Sequence, residues 1–505
     1  MTLRRALSAV TLAAVAAATP ARAQTLEPGD TGLRGSLGAA APRSSTPAPR
    51  SAAGAADESL ERLDAGTLSG GDYGGQDGQP LAGGDYGGAT RPAAPAGVAA
   101  IDIGDPLARD QGLRPGSAGL RPRPRPPEDD PYAAPGVRAG SFTLRPTVEA
   151  ATGYDDNPDR RNQGGKGSGY YRLRGDIEAV SEWSRHELRG SVSGQIRRYL
   201  DLEDPGYEPD LNAVLKGRID VTERTQVISE LRTSITTSRP GDADALTDVQ
   251  GDQIERSHGA TLGIAHRINR LSLEATGLVD RYLFDDATLV SGEPVDNAAR
   301  NYTAYEARFR AAYELSPNLQ PFADLSLVTR DFDRNDGVTR GSDAIALRGG
   351  ATFEASRVLT GEVALGYGRQ TPKDSGQKPV DALLFDGSLA WSATALTTVR
   401  LTAKSSLYET TSTDASALLT RRVGVSVEHA LRRHWTVTAR TDFEKRAYRG
   451  IGRVDDVTVL ALETEYRLNR TTALFGSFEH DRLDSNVAGG DYTASIIEFG
   501  LRVRQ

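Results

Sequence analysis

Asp491–Gln505 reads DYTASIIEFGLRVRQ, in which Ile497, Phe499, Leu501 and Val503 alternate with Glu498, Gly500, Arg502 and Arg504. A period of two places one set on each side of an extended strand. Four large apolar side chains on one side need an apolar medium. The charges opposite need water or counter-charges. A strand between a core and bulk solvent satisfies both demands, and so does a strand between lipid and a wet lumen.

The same alternation recurs from Ser141 onward. Leu173, Gly175, Ile177 and Ala179 oppose Arg172, Arg174, Asp176 and Glu178. Leu188, Val192 and Ile196 oppose Arg189, Ser193 and Arg197, while Leu273 and Val279 oppose Glu274 and Asp280. Trp435, Val437, Ala439 and Phe443 oppose Thr436, Arg440, Asp442 and Glu444. These segments are longer than the usual strand of about 5–6 residues and suit strands that cross a bilayer at a tilt.

The connections decide between the two media. Short turns fall near Trp183-Ser184, Thr222–Arg224, Asn269, Ser316-Pro317, Ser356-Arg357, Thr394-Ala395, Leu431-Arg432 and Asn469-Arg470. Longer polar loops lie between them, near Asp155–Gly169, Asp201–Pro209, Arg239–Gln253, Asp285–Ala299, Asp333–Arg340, Gln370–Pro379, Thr410–Ala415, Arg449–Arg453 and Asp484–Gly490. Strict alternation of short and long is what an outer-membrane barrel predicts, and a soluble sandwich has no reason to keep it. Eight turns and nine loops join eighteen strands. The expected fold is therefore all-β, a transmembrane antiparallel up-and-down barrel of about 18 strands over residues 140–505. Its last strand should pair with the first, around Phe142–Tyr154, because an unpaired edge cannot sit in a bilayer. Aromatic residues are expected to form two girdles. Tyr199, Tyr282, Tyr302, Phe332, Tyr367, Tyr408, Tyr448 and Tyr492 lie beside the long loops; Trp183, Tyr313, Phe353, Trp391, Trp435 and Tyr466 lie beside the turns.

The start of the 505-residue chain has a different character. Met1–Arg5 is basic, Ala6–Pro20 is apolar, and Ala21-Arg22-Ala23 is a cleavage-type site, so residues 1–23 read as a secretory signal peptide with a mature start at Gln24. Residues 24–139 are rich in Ala, Gly, Pro, Ser and Arg. They carry two GGDYGG segments, at 70–75 and 83–88, and the run LRPRPRPP at 120–127. Such a segment buries too little apolar surface to offset the entropy of ordering, and is expected to be a disordered periplasmic tail. As a coil it spans roughly 60 Å. It is either a solvated linker, an arm to a periplasmic partner or a plug for the lumen. There are no cysteines, so disulfides and a cysteine-linked lipid anchor are excluded, and the net charge of −8 does not suggest nucleic acid.

The stretch 129–161, DDPYAAPGVRAGSFTLRPTVEAATGYDDNPDRR, contains Gly153-Tyr154-Asp155-Asp156-Asn157-Pro158 at the end of the first strand. It resembles the opening of the Putative beta-barrel porin 2 family of outer-membrane proteins. Trp183–Leu188, Arg300-Asn301-Tyr302, Leu419-Thr420-Arg421 and Asp491–Ala494 are similar to it as well. The resemblance implies an outer-membrane barrel and carries over no catalytic residue. One departure is Gln505: such barrels usually end on an aromatic residue that the barrel assembly machinery recognises.

The candidate functional groups are the charges opposite the apolar stripe: Arg172, Arg174, Asp176, Glu178, Arg189, Arg197, Glu274, Asp324, Arg440, Asp442 and Glu444. Facing a lumen, opposed acids and bases would order water and filter charged solutes. The alternative is a salt-bridge network that closes the interior. Ile497, Phe499, Leu501 and Val503 are expected to meet outer-membrane lipid and lipopolysaccharide. The long loops hold many acids, among them Asp155, Asp156, Asp201, Glu203, Asp204, Asp242, Asp244, Asp285, Asp286, Asp331 and Asp333. They serve either divalent cations or plain solubility. Asp331–Gly337 imitates the start of a calcium loop, but its sixth position is Asp336 and its twelfth, Ser342, is not Glu. His480, near Ser477 and Asp481, is the one cluster suggestive of a hydrolase. The expectation is a non-enzymatic porin-like channel for small hydrophilic solutes, without cofactor or metal. The competing reading is a structural or envelope-assembly protein.

Overall fold

The computed structural model describes Tyr132, Ala134 and residues 136–505, apart from 164, 203–206, 240, 247–248, 251–252, 290, 336–338 and 411–414. The signal peptide and nearly all of the tail expected at 24–139 lie outside the described residues, and so does Asp336-Gly337 of the calcium-like stretch.

Eighteen long strands follow one another: β1 (Phe142–Asp155), β2 (Ser168–Ser181), β3 (Glu187–Tyr199), β4 (Tyr207–Asp220), β5 (Thr225–Ser238), β6 (Gln253–Ile268), β7 (Leu271–Phe284), β8 (Tyr302–Tyr313) and β9 (Leu319–Phe332). The second half holds β10 (Ser342–Ser356), β11 (Leu359–Pro372), β12 (Val380–Thr394), β13 (Thr397–Tyr408), β14 (Ala417–Arg432), β15 (Trp435–Arg449), β16 (Val454–Arg467), β17 (Thr472–Ser485) and β18 (Tyr492–Arg504). Each pairs antiparallel with its neighbours in the chain. β18 returns to β1 from Thr147↔Arg504 to Asp155↔Ile496, which closes an eighteen-strand barrel. Even Gln505 takes part, its N–H donating to the Pro146 carbonyl at 3.1 Å. A short strand, Val137–Ala139, extends the ordered region slightly before residue 140 and pairs with the start of β1.

Eight connections at one end are short: 182–186, 221–224, 269–270, 314–318, 357–358, 395–396, 433–434 and 468–471. The opposite end carries the loops, and both ends of the barrel strand series emerge on the short-turn side. One expected long loop is an exception. Residues 450–453 form a connection no longer than 221–224. Gly450 (φ 108°) and Gly452 (φ 70°) take left-handed conformations that let the chain reverse quickly, and the Tyr448 N–H reaches the Arg453 carbonyl at 2.9 Å. The loops between β5 and β6 and between β7 and β8 add three short strands, at Val249–Gln250, Ala287–Leu289 and Pro294–Val295, and a 3-10 turn at Asn297–Arg300.

The strand period sorts the wall into two faces. In β18, Ile497, Phe499, Leu501 and Val503 are 41–60% exposed, whereas Ile496, Glu498, Arg502 and Arg504 are buried. An exposed apolar stripe outside a buried charged stripe inverts the arrangement of a water-soluble domain.

The aromatic residues depart from the expected girdles. At the turn end Trp183, Tyr313, Trp391, Trp435 and Tyr466 are exposed on the outer face, as a belt requires. At the loop end Tyr199, Tyr302, Tyr408 and Tyr448 are buried instead. Tyr302 stacks on Tyr282 at 4.6 Å and meets Phe332 at 5.0 Å. Nearness to a strand end does not specify the face; the position's parity along the strand does. The exposed aromatics at that end are Tyr154, Tyr171, Tyr207, Tyr305 and Tyr367, of which only Tyr367 belongs to the expected set.

A charge on the outer face should destabilise according to depth. Phe499→Arg is expected to cost about 2–4 kcal/mol, and Thr493→Arg, near the loop rim, about 0–1 kcal/mol. Reversible chemical unfolding in lipid vesicles measures both, and equal costs would contradict an outer lipid face.

Candidate functional site: the charged interior

All eleven candidate residues lie on the face opposite the exposed apolar stripe. They are not dispersed there but paired. Around the closing seam, Arg172 bonds Glu149 at 3.1 Å and Glu498 at 2.7 Å, and the Tyr170 hydroxyl donates to Glu498 at 3.0 Å. Arg502 donates to the other oxygen of Glu149 at 2.6 Å and also pairs with Glu465. Glu149 therefore joins two arginines from β2 and β18, on either side of its own strand. The ring of Phe475 lies beneath both guanidinium groups, at 5.8 Å and 5.2 Å. Gly500 makes room for that ring, because a Cβ there would stand 2.4 Å from Phe475 Cζ.

The rest of the inner wall repeats the theme. Arg174 pairs with Asp176 at 2.8 Å, and Glu178 lies 3.5 Å from Arg145 and 3.6 Å from Arg189. Arg197 lies 3.8 Å from Glu208 and over the Tyr170 ring at 4.9 Å. Asp324 meets Arg310 at 3.4 Å, and Arg310 also bonds Glu362 at 3.0 Å. Glu274 stands opposite Arg310 in the β7–β8 ladder. Arg440 lies 3.4 Å from Asp442 and 3.3 Å from Glu479, and Glu444 holds Arg422 and Arg446 at 2.6 Å and 2.7 Å. Charges taken out of bulk water need such partners, since an unpaired buried ion is strongly unfavourable.

Exposure differs between the two ends. Toward the turns, the side chains of Arg145, Glu178, Glu187, Arg218 and Glu230 keep 17–27% of their surface. Toward the loops, Asp155, Arg160, Arg330 and Arg446 keep 0–2%. Two inserted segments account for the difference.

The first is 239–246, after β5. The Arg239 N–H donates to the Asp242 carboxylate at 2.8 Å, and Gly241 (φ 88°) turns the chain inward. Arg446 donates to the Gly241 carbonyl at 2.9 Å, and the Asp244 N–H donates to the Tyr448 hydroxyl at 3.3 Å. Arg300 donates to the Asp244 carbonyl and the Thr410 hydroxyl to its carboxylate, at 2.8 Å and 2.9 Å. β5 and β15 stand on nearly opposite sides of the ring, so the segment bridges the mouth. Gly241 is required where it lies: a Cβ would come within 2.3 Å of the Tyr492 ring.

The second is the loop-side end of the β13–β14 hairpin. β12 and β13 pair from Thr394↔Thr397 only as far as Asp386↔Lys404, although both strands continue. Beyond that point the loop-side ends of β13 and β14 lean inward, and residues 405–408 and 417–420 are buried on both faces. Leu407, Ala417 and Leu419 pack on Val328, Ala344, Ala346, Val380, Ala382 and Leu384 of the inner wall, while Tyr408 and Leu418 meet Ala243 of the other segment and Tyr448 of β15.

Sequence reasoning missed Glu149, Arg330, Glu409 and both insertions. Glu149 was open to the alternation rule in β1. The insertions carry no signal, since polar loops read alike whether they meet solvent or a distant wall. His480 is also placed differently from its sequence neighbours: it points to the outer face and shares a hydrogen bond with Ser495 at 3.0 Å, whereas Asp481 is buried inside. Some of the loop acids accept from backbone N–H groups, Asp156 from Ser495 and Asp286 from Asn297, and others meet basic side chains. Asp331 pairs with Lys373, Asp333 with Arg281 and Asp285 with Arg256. Among the described residues no three acids or histidines stand together as a metal would need.

Two buried loop acids hold the insertions. Burial pushes the Asp242 carboxyl above its ordinary 3.8 despite Arg446, Arg239 and Arg160, and pushes Glu409 above 4.5 despite Arg330. For an acid raised in the folded state, the stabilisation is complete below the ordinary value. It is lost as pH rises through the raised one. Amide exchange of 241–246, 405–410 and 415–419, corrected for intrinsic rates, should therefore quicken as pH rises above the ordinary carboxyl range. Asp242→Asn and Glu409→Gln should flatten that dependence; an unchanged slope in both variants would contradict it.

Comparison with solved structures returns barrels at low identity. The outer membrane protein opdK from Pseudomonas aeruginosa is 11% identical with a TM-score of 0.37, covering 72% of this chain and 99% of that one. A BenF-like porin from Pseudomonas fluorescens Pf-5 is 9% identical with a TM-score of 0.40, over 72% and 99%. The copper transporter OprC is 9% identical with a TM-score of 0.43, over 73% and 81%. No curated protein matches the chain. The family model described as Putative beta-barrel porin 2 matches residues 130–505, the whole of the barrel. A closed barrel with an apolar outside and a charged inside is thus joined by a match to most of the chain, and the protein is an outer-membrane barrel belonging to the Putative beta-barrel porin 2 family.

Proposed function

We propose that the barrel is a channel for passive passage of small hydrophilic solutes, with no covalent chemistry of its own. The observation that carries this is the inner face: charged over most of its extent, partly exposed toward the turns and narrowed toward the loops by two segments of the chain. Barrels of about this strand number leave an aqueous interior unless something fills it. Opposed arginines and carboxylates along the wall give a transverse field that orders water and discriminates by charge.

In this reading the signal peptide 1–23 is removed and both termini are periplasmic, so the turn end opens to the periplasm and the narrowed end to the exterior. Lipid and lipopolysaccharide surround the outer stripe. The alternation of β18 is what the barrel assembly machinery would engage, with Gln505 in place of an aromatic end. The tail 24–139 serves as a linker or as an arm to a periplasmic partner. The depth of burial at the loop end favours a second reading, a structural or envelope-assembly barrel held shut by its ion pairs.

Planar-bilayer recording separates the two. The purified full chain is expected to give stepwise conductance in potassium chloride. Replacing 241–246 with a Gly-Ser linker should raise the step severalfold, and deletion of 24–131 should leave it unchanged. Absence of steps in both the parent and the linker variant would overturn the channel in favour of the structural role.

A further inference from the structure

One stretch of the interior breaks the charged pattern. On β9, β10 and β12 near the loop end, Val328, Ala344, Ala346, Val380, Ala382 and Leu384 all face inward and form an apolar wall. Arg330 is the next inward residue after Val328 on β9, and its side chain is fully buried. Its Nη1 donates to the Ser342 hydroxyl at 3.0 Å and lies 3.6 Å from the Glu409 carboxylate. Its Nε and Nη2 meet no hydrogen-bond partner among the described residues. A guanidinium carries five N–H donors in a planar fork, and burying some of them unmet is unfavourable.

What covers this wall is the loop-side end of the hairpin. Leu407, Ala417 and Leu419 lie on the apolar residues. Glu409 accepts from Ser342 and, at 3.2 Å, from Gln370 Nε2; its closest approach to Arg330 is 3.6 Å, at Nη1, and it makes no hydrogen bond to Nε or Nη2. The chain thus presents to the wall an apolar body and a carboxylate, the two parts of an amphipathic acid. This end is also the part of the hairpin whose ladder to β12 has ended, at Asp386↔Lys404. Its withdrawal therefore breaks no hydrogen bond of that ladder.

We propose that Arg330 and the apolar wall beside it form a subsite for a small amphipathic monocarboxylate, occupied in the resting barrel by the chain's own Leu407, Leu419 and Glu409. A free carboxylate bound in the plane of the guanidinium reaches two nitrogens at once, which Glu409 does not. The aliphatic or aromatic body replaces the two leucines on the wall. The inference rests on the channel reading, which it narrows to one class of solute.

Equilibrium binding tests it without requiring conductance. The full chain in lipid nanodiscs is titrated calorimetrically with sodium octanoate; octanol and octyltrimethylammonium, which enter the same lipid but cannot pair with Arg330, serve as controls. Octanoate is expected to saturate one site per chain, beyond the signal of the controls. Glu409→Ala and Leu407→Ala, which remove the built-in competitor, should each tighten it about tenfold. Arg330→Gln should abolish saturation while the barrel keeps its heat-modifiable gel mobility. If that variant does not fold, the two tightening variants carry the test. Octanoate binding no different from octanol, or no response to Glu409→Ala and Leu407→Ala, overturns the subsite. A barrel that conducts but binds no octanoate loses the subsite and keeps the channel. One that binds octanoate but never conducts loses the channel and keeps the subsite.

Discussion

A strand in hydrocarbon has no water to take its backbone N–H and C=O groups, so every such edge has to find another strand. The β1–β18 ladder meets that demand for the whole wall, running from Thr147↔Arg504 to Asp155↔Ile496. The other neighbours need only short turns or loops between consecutive strands. This pair joins residues more than three hundred positions apart. The most connected ion cluster of the interior lies at the same seam, where Glu149, Arg172, Glu498, Arg502 and Glu465 link β1, β2, β16 and β18. Side-chain pairing on one face thus reinforces backbone pairing at the closure.

The charged interior follows from the apolar exterior. With the period of two, each lipid-facing residue commits its neighbours to the inside, and what stands there has to be solvated or paired. Toward the turns the side chains of β1–β5 keep some exposure and water shares the task, while at the seam Glu465 and Arg504 stay buried against each other. Toward the loops exposure vanishes and arginine takes carboxylates directly, its planar fork suited to holding two at once. The wall at Val328, Ala344, Ala346, Val380, Ala382 and Leu384 is the departure, and the chain covers it with its own leucines.

Much of the architecture was readable in advance because it obeys local rules. Strand number, turn end and loop end, and the seam partner all come from periodicity and the spacing of turn residues. The face of each candidate, Arg172 and Glu444 alike, comes from parity. Errors arose where a rule was applied without parity or without tertiary partners. Tyr302 and Tyr448 lie near strand ends but turn inward, His480 turns away from Asp481, and two glycines shorten 450–453. The insertions were invisible: Asp242 and Glu409 have the composition of solvated loop acids, and their burial comes from Arg446, Tyr448, Ser342 and Gln370, far off in the chain.

By itself, then, the sequence determined that this chain closes into an eighteen-strand barrel, apolar outside and charged inside. The reason is that alternation and turn chemistry act over a few residues and repeat down the chain. Only the tertiary structure decided how the interior is filled. Which loops fold back, where β12 and β13 part, and which nitrogens of Arg330 are left unmet depend on contacts across the lumen. Those contacts join residues that no local period relates.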